Sequence, residues 1–396
     1  MKQIPFFFVV ACLFISGWID LIAILTYVGY ELELSVLGVA LVAIAMLAPQ
    51  AVLGRLITSI LQRVKANRVL LAATTVGIGC TLSLIWVDTL DLLLPVLFLR
   101  GFAAGFVQPV IAGAVKSVGE GEATRFASTL NLLNTFAKIG APAVGGVLSV
   151  QFGEASVFLL SSLLAAIVLP VLAIFPLPDS ARHTKECAEG MRAAGISPAF
   201  LAGFGACILA INGLSLMFTN LLPYALNFYG VPKLTLSLAL SASALAATVF
   251  NLYVMKVSPK LQGFPKRFVL TSWVMSAVGF AALSVLLPFH HINWAGIPLV
   301  FMVLSIGRVL FEVSTNGFIY AQEGNLPVAL ATFKQSFAAY AGIIVTLLGA
   351  LGLQYMEPLA FMLGLSGILL LLGILWAWVP FDKPMFLFSR EQERPA

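Results

Sequence analysis

Six ionisable side chains interrupt the apolar stretches of this sequence, and they are its most chemically capable residues. They are Asp20, Arg100, Lys138, Arg308, Glu312 and Lys334. A charged residue at the bilayer centre costs about 2.5–3.5 kcal/mol on insertion scales, so each should face a watery cavity or a partner. A helical rise of about 1.5 Å per residue places Asp20, Arg100 and Lys138 at one depth, roughly 20–24 Å from the predicted cytoplasmic ends of their helices.

The cations among these six outnumber the anions, which decides how they could neutralise one another. Arg308 and Glu312 are four residues apart and could pair along one helix face. Among the six, Asp20 is then the anion left to balance both Arg100 and Lys138, so at least one positive charge stays unmatched. A bound anionic substrate would neutralise it, and deprotonation of the lysine is the alternative. Asp20 is the predicted proton carrier, because a buried carboxylate can gain a proton when its cationic partner is diverted. A fixed ion pair with Arg100 is the structural alternative.

Polar and aromatic side chains near these charges could orient a small molecule. Asn131 and Asn134 precede Lys138 on nearly the same helix face, and Trp18 could line a pocket. Such polar residues are more often interhelical hydrogen-bond partners than ligand contacts. The predicted substrate-binding residues are Arg100, Lys138, Arg308, Asn131, Asn134, Asn212 and Trp18, and the predicted proton-coupling residues are Asp20, Arg100 and Glu312.

The residues after Lys138 read GAPAVGG and predict a hinge. Gly140, Gly145 and Gly146 remove side-chain bulk, so that another helix can approach closely. Pro142 lacks the backbone N–H that a helix interior needs and should kink it. Ordinary tight packing between helices is the alternative interpretation.

The composition requires that lipid solvates the elements that carry these residues. Of the 396 residues, 60% are hydrophobic and 10% are charged, against about 25% charged in an average soluble domain. Runs of about 20 apolar residues predict membrane-spanning helices. Twelve are predicted, at residues 5–29, 35–58, 68–88, 91–116, 125–151, 155–176, 198–228, 233–256, 267–288, 293–321, 327–354 and 357–380.

The basic residues predict how the helices are oriented. If the N-terminus is cytoplasmic, nearly all the Lys and Arg residues between helices fall on the cytoplasmic side, and Lys233 alone falls outside. We therefore expect a multi-pass protein of the plasma membrane, such as a bacterial inner membrane, with both termini in the cytoplasm. The net charge of +5 reflects this orientation and gives no reason to expect a nucleic-acid partner.

The longest polar stretch, residues 177–197, divides the chain into two halves of six predicted helices. We predict an all-α membrane protein with an N-terminal bundle (1–176), a cytoplasmic linker (177–197), a C-terminal bundle (198–380) and a cytoplasmic tail (381–396). The halves echo each other, with Arg100 and Arg308 in the fourth helix of each and Lys138 and Lys334 in the fifth. Repeats of this kind are typical of transporters that bind substrate near the midplane.

Three motifs carry a resemblance to a known family. LFLRGFAAG, around Arg100, resembles the fourth-helix motif of the major facilitator superfamily, in which an arginine is linked to proton transfer. GAPAVGG resembles its fifth-helix antiporter motif, although Ala141 replaces the usual glycine before the proline. GRLITSILQRVKANR occupies the loop between helices 2 and 3 but lacks the family's aspartate, so its cytoplasmic charge contact should be altered.

The resemblance covers essentially the whole chain and implies a function. We expect a proton-coupled secondary transporter, not an enzyme, that exports a small amphipathic or anionic compound such as a drug, an organic acid or a siderophore-like metabolite. The alternative is a proton symporter that imports an organic anion or siderophore. No cofactor or metal is expected, because no nucleotide-binding motif or metal-ligand spacing occurs. The expected working unit is a monomer. A receptor or intramembrane enzyme would need a signalling domain or catalytic group that the sequence lacks.

Overall fold

All regular elements in the described part of the chain are helices. The computed structural model describes residues 3–116, 120–177, 205, 208–209, 214–257, 266–289, 295–320 and 326–378. The α-helices in these residues include α1 (Gln3–Thr26), α2 (Val36–Val52), α3 (Gly54–Arg63), α4 (Ala66–Ser83), α5 (Leu90–Ala104), α6 (Val107–Lys116), α7 (Glu120–Phe152), α8 (Glu154–Ile174), α9 (Leu214–Phe228), α10 (Lys233–Val257), α11 (Lys266–Leu286), α12 (Gly296–Tyr320), α13 (Leu326–Tyr355) and α14 (Pro358–Trp378).

The described residues include eight helices that are long and apolar enough to cross a membrane. This confirms the predicted all-helical membrane fold. The seventh predicted segment, residues 198–228, lies partly outside the described residues, and α2 is a shorter apolar helix. The arrangement of twelve spanning helices in two bundles therefore stays a prediction.

Two predicted segments end or break earlier than the apolar runs suggested. The segment at 35–58 ends as α2 at Val52, and the separate helix α3 follows. Polar residues recur in α3 at helical spacing, so it is amphipathic, and Ile57 buries its apolar side against Val69 and Phe106. The segment at 91–116 is divided into α5 and α6 at Gly105 and Phe106, although Leu90–Ile111 is one stretch long and apolar enough to cross a membrane.

Two glycines make the turns that reverse the chain between long helices. Gly153 has φ +77° between α7 and α8, and Gly230 has φ +70° between α9 and α10. Residues with a side chain rarely adopt these angles, so glycine is required there. The turn at Gly153 also places the acidic Glu154 in the first turn of α8, where the helix dipole favours a negative charge.

The described residues form two compact units. The first takes those within 1–184 and 219–244, and the second takes those within 185–218 and 245–396. The end of α9 and the first half of α10 thus join the first unit. The domain limits predicted from the polar linker, 1–176 and 198–380, stay predictions.

Helix α1 is central to the first unit, where it packs along α7 and α8. Ser16 of α1 and Ser161 of α8 face each other with their hydroxyl oxygens 3.1 Å apart, and each hydroxyl donates to the backbone carbonyl of the other residue. Helix α4 packs on α5 and α8, and α2 packs on α5. These contacts bring α1, α4, α5 and α7 together, which are the helices that carry the candidate site.

In the second unit, α11 packs against α12 and α14. Ala277 and Leu369 are buried there with Phe280. The outward faces remain apolar in both units, as in α8, where Leu159 and Leu163 are exposed. Such a surface suits lipid rather than water as the solvent.

Candidate functional site

The most deeply buried ion pair among the described residues joins α1 to α5. Asp20 is 3% exposed, and its Oδ2 accepts hydrogen bonds from Arg100 Nε at 2.6 Å and Thr81 Oγ1 at 2.9 Å. The Nη2 of Arg100 contacts the same oxygen. The sequence predicted that Asp20 and Arg100 share one layer, and the structure brings them together. Thr81 was not predicted, because a threonine in an apolar run gives no signal of its partner.

The two oxygens of the Asp20 carboxylate have different surroundings. All three contacts fall on Oδ2, whereas Oδ1 is buried without a hydrogen-bond partner in the described part of the chain. A buried polar atom without a partner carries a desolvation cost of about 1–3 kcal/mol. A proton on Oδ1 would remove the negative charge without displacing an existing hydrogen bond. Oδ1 is therefore the carboxylate oxygen of Asp20 at which a proton would break no described hydrogen bond.

A close contact between helices positions Arg100. A Cβ atom on the neighbouring Gly101 would lie 2.5 Å from the carbonyl oxygen of Met46 in α2. Glycine at 101 therefore allows α5 to lie against the backbone of α2, and any larger residue would push the two helices apart. This explains in physical terms why a glycine follows the arginine in LFLRGFAAG.

Three predicted substrate-binding residues meet between α1 and α7. Trp18 Nε1 donates to Asn134 Oδ1 at 3.1 Å, and Lys138 Nζ lies 5.2 Å from the centre of the Trp18 ring. That distance permits a cation–π interaction, and Lys138 has further interactions of its own. All three side chains are partly exposed. The cluster thus presents an aromatic ring, an amide and an ammonium group together.

The helical geometry of α1 separates this cluster from the ion pair. Trp18 and Asp20 are two residues apart, so they project about 200° apart around the helix axis. Asp20 therefore faces α4 and α5, whereas Trp18 faces α7. The sequence indicated Lys138 as a second cation at the depth of Asp20, and the structure places it over Trp18.

The expected pairing of Arg308 with Glu312 is wrong. Glu312 Oε2 accepts a hydrogen bond from Lys334 Nζ at 2.5 Å, which links α12 to α13. Arg308 is exposed, and no ion pair involves it in the part of the chain that the structure describes. The lysine of the neighbouring helix could not be predicted as the partner, because spacing along one helix does not show which residues pack against it. The side chain of Lys334 is mostly buried.

The other predicted residues are placed only in part. Asn131 belongs to α7, but its side chain lies outside the described residues, as does all of Asn212. A Cβ on Gly140 would meet nothing within 4 Å, whereas one on Gly145 would touch Val157 at 3.6 Å.

The close approach predicted from GAPAVGG occurs at one glycine. A Cβ on Gly146 would collide with the side chain of Ser237 in α10, so this residue must lack a side chain. Helix α7 continues through Pro142. The hinge role of this motif stays a prediction.

A second charged cluster was missed by the sequence analysis. Glu154 is 7% exposed, and its carboxylate accepts hydrogen bonds from Thr26 Oγ1 at 3.0 Å and Ser149 Oγ at 2.5 Å. Lys233 Nζ lies 3.4 Å from Glu154 Oε1 and 2.8 Å from Glu31 Oε1. The available signal was that Lys233 alone among the basic residues falls on the predicted outer side.

Comparison with known proteins identifies the family of this chain. A family model for the Major Facilitator Superfamily matches residues 6–323. A crystal structure of the nucleoside transporter NupG superposes with a TM-score of 0.72 at 15% identity, covering 95% of this chain and 98% of that one. A POT family transporter in complex with a thioalcohol-conjugated peptide superposes with a TM-score of 0.72 at 13% identity, covering 94% of each chain.

A third solved structure, a peptide transporter POT in complex with sulfate, has a TM-score of 0.68 at 14% identity and covers 95% of this chain and 93% of its own. At these identities the likeness shows the fold alone. No curated protein matches the chain.

Proposed function

The chain belongs to the major facilitator superfamily and is a transporter rather than an enzyme, and from this premise we propose that it is a proton-coupled secondary transporter. It exports a small amphipathic or anionic compound by alternating access. The observation that carries this proposal is the buried Asp20–Arg100 pair with one carboxylate oxygen left without a partner. Buried ionisable residues in membrane helices mark ion pathways, and Asp20 Oδ1 has no described hydrogen bond that a proton would displace.

The coupling step uses the two states of Asp20. When Asp20 is ionised, Arg100 neutralises it and ties α5 to α1. A proton on Oδ1 removes that charge and weakens the hold on the guanidinium group, so the contact between the two helices loosens. Loss of the proton restores it. Proton binding thus changes the free energy of a helix contact, which is what a gradient needs in order to drive a conformational cycle.

The substrate site is the Trp18–Asn134–Lys138 cluster. The ammonium group of Lys138 attracts an anion, the amide of Asn134 supplies a hydrogen bond, and the Trp18 ring offers an apolar face. This combination suits an amphipathic organic anion, such as an aromatic carboxylate, an anionic drug or a siderophore-like metabolite. Arg308, exposed on α12, is a second proposed cation for the substrate.

The transporter is a multi-pass membrane protein. We place it in the plasma membrane, the inner membrane if the cell is bacterial, with both termini in the cytoplasm and with the monomer as the working unit. Export rests on the likeness of GAPAVGG to the antiporter motif. The geometry of Asp20 and Arg100 would serve import by proton symport equally well, so the direction must come from the assay.

A thermal-shift screen of the purified protein tests the substrate class. The probes are benzoate and citrate as anions, tetraphenylphosphonium as a lipophilic cation, and uridine and dialanine because the solved relatives carry nucleosides and peptides. Stabilisation reports occupancy by mass action. We expect a shift with benzoate that disappears in Lys138→Ala and persists in Lys65→Ala, which removes an exposed lysine. A shift with tetraphenylphosphonium alone would refute the anion proposal.

Proteoliposomes with an imposed proton gradient test the coupling. Asp20→Asn should abolish uphill transport of the probe that binds while leaving exchange down its own gradient, and Asp91→Asn, at an exposed carboxylate, should retain both. Alkalinisation of the outer medium on addition of the probe would indicate symport rather than export. Pumping that persists in Asp20→Asn would show that Asp20 does not couple protons.

A further inference from the structure

The second charged cluster bridges the two halves of the sequence. Lys233, at the start of α10, contacts Glu31 beside the end of α1 and Glu154 at the start of α8. We call these three residues the outer charge cluster, because all of them fall on the side of the membrane predicted to be external. They lie within the first compact unit.

The position of Lys233 is unfavourable without its partners. It is the first residue of α10, where the helix dipole disfavours a positive charge, and the first turn of α10 contains no acidic residue to offset it. The compensation comes from the first half of the chain, through Glu31 and Glu154. The contact therefore joins residues that are far apart in the sequence, and the two halves must meet for it to form.

Because Glu154 is buried, its carboxylate depends on the contact with Lys233. Its side chain is 5% exposed, whereas that of Glu31 is 48% exposed. A buried carboxylate needs a counter-ion or hydrogen bonds, and here Thr26 and Ser149 supply the hydrogen bonds while Lys233 supplies the charge. If Lys233 moves away, water must enter and solvate Glu154.

Two close contacts lie in the same region and join the same halves. Ser237, one turn after Lys233 on α10, fills the space beside Gly146 of α7. Pro223 of α9 lies against Gly29, where a Cβ atom would collide with it. Both contacts need a residue without a side chain on one partner. We call the outer charge cluster and these two glycine contacts together the seam.

We propose that Lys233 is a further functional residue of the transport cycle: it holds the two halves together on the outer side and releases Glu31 and Glu154 when the transporter opens outward. This rests on the proposed function, since only a protein that alternates its access has reason to break the seam. Glu154 is the positioning residue, because it holds Lys233 from within the buried side of the cluster.

Double electron–electron resonance tests the proposal without substrate or a proton gradient. Spin labels are placed at Thr89→Cys and Pro232→Cys, which are both exposed and lie in different halves of the sequence, after replacement of the four native cysteines. The distance distribution reports the ratio of open to closed outer sides. We expect Lys233→Gln to raise this ratio at least about tenfold, the effect of losing roughly 1.4 kcal/mol. Lys233→Arg, which keeps the charge, should leave the ratio within about twofold of the wild type, well below that tenfold step.

A second variant decides the matter if Lys233→Gln does not fold. Glu31→Lys places a repelling charge on an exposed residue, so it should raise the open fraction without disturbing a buried group. Its matched control is Glu357→Lys, an equal charge change at another exposed carboxylate on the predicted outer side. Equal distributions for these two variants, or for folded Lys233→Gln and the wild type, would overturn the proposal.

The outcome separates this proposal from the proposed function. A distance change without transport of any probe would leave the role of Lys233 intact and count against the proton-coupled transport assigned above. Proton-driven transport in the proteoliposomes, combined with unchanged distances in Lys233→Gln and Glu31→Lys, would retain the proposed function and refute the role of Lys233.

Discussion

Replacement of Arg100 by methionine should be one of the most destabilising single changes in the membrane part of this protein. Methionine keeps much of the side-chain length but removes the charge that neutralises Asp20, a residue that is 3% exposed. Breaking a buried ion pair by removing one partner costs about 3–5 kcal/mol. Protonation of Asp20 would recover part of this, so we expect about 3 kcal/mol, the lower end of that range.

The matched control is Arg308→Met, the same change at an arginine that is exposed and has no ion pair in the described residues. It should cost within about 0.5 kcal/mol, as surface substitutions usually do. The assay is the apparent melting temperature of the purified protein in detergent, followed by tryptophan fluorescence and by size-exclusion chromatography of heated samples. Arg100→Met should melt several degrees below Arg308→Met.

A double mutant separates the loss of the pair from the loss of packing. Asp20→Asn combined with Arg100→Met removes both charges, and it should be more stable than Arg100→Met alone because no buried charge is left uncompensated. If the effects of the two changes simply add, or if Arg100→Met melts no lower than Arg308→Met, the buried ion pair does not have the energetic role that we assign to it.

Three further outcomes follow from the geometry. Gly146→Val should cost about 1–3 kcal/mol because its side chain must displace α10, whereas Gly140→Val should leave the melting temperature unchanged, since a Cβ there meets nothing within 4 Å; equal shifts would refute the contact. Trp18→Phe keeps the ring but removes the indole N–H donor 3.1 Å from the neighbouring amide, and it should weaken benzoate binding, measured by thermal shift, by about three- to tenfold; unchanged affinity would remove Trp18 from the site. Lys334→Met should lower the melting temperature less than Arg100→Met, because Glu312 is 32% exposed and water can replace its partner.

The sequence predicted the depth of the charged residues better than their direction. Charges are few in apolar helices and the helical rise is fixed, so counting residues brought Asp20 and Arg100 to one layer. The direction around the axis could not be predicted, because a helix that is apolar on all sides has no periodicity to orient it. For this reason the sequence could not show that Lys138, predicted at the same depth as Asp20, lies over Trp18.

Contacts between distant segments were beyond the sequence for a related reason. Glu312 could be matched with Arg308 by spacing, but its partner Lys334 comes from the next helix, and no local rule ranks one above the other. Lys233 was visible as an isolated outer cation, yet nothing along the chain pointed to Glu154. Breaks such as the one at Phe106 were missed because hydrophobicity alone does not end a helix.

Trp18 and Asp20 lie on opposite sides of the continuous helix α1. If this helix rolls about its long axis, the indole and the carboxylate must sweep sideways in opposing senses. A molecule that displaces the indole would therefore move the carboxylate without contacting it. Protonation of the carboxylate would move the indole in the same way, through rotation of the helix. In the transport cycle proposed above, the substrate and the proton would thus affect each other through α1 alone, with no chain of intermediate residues.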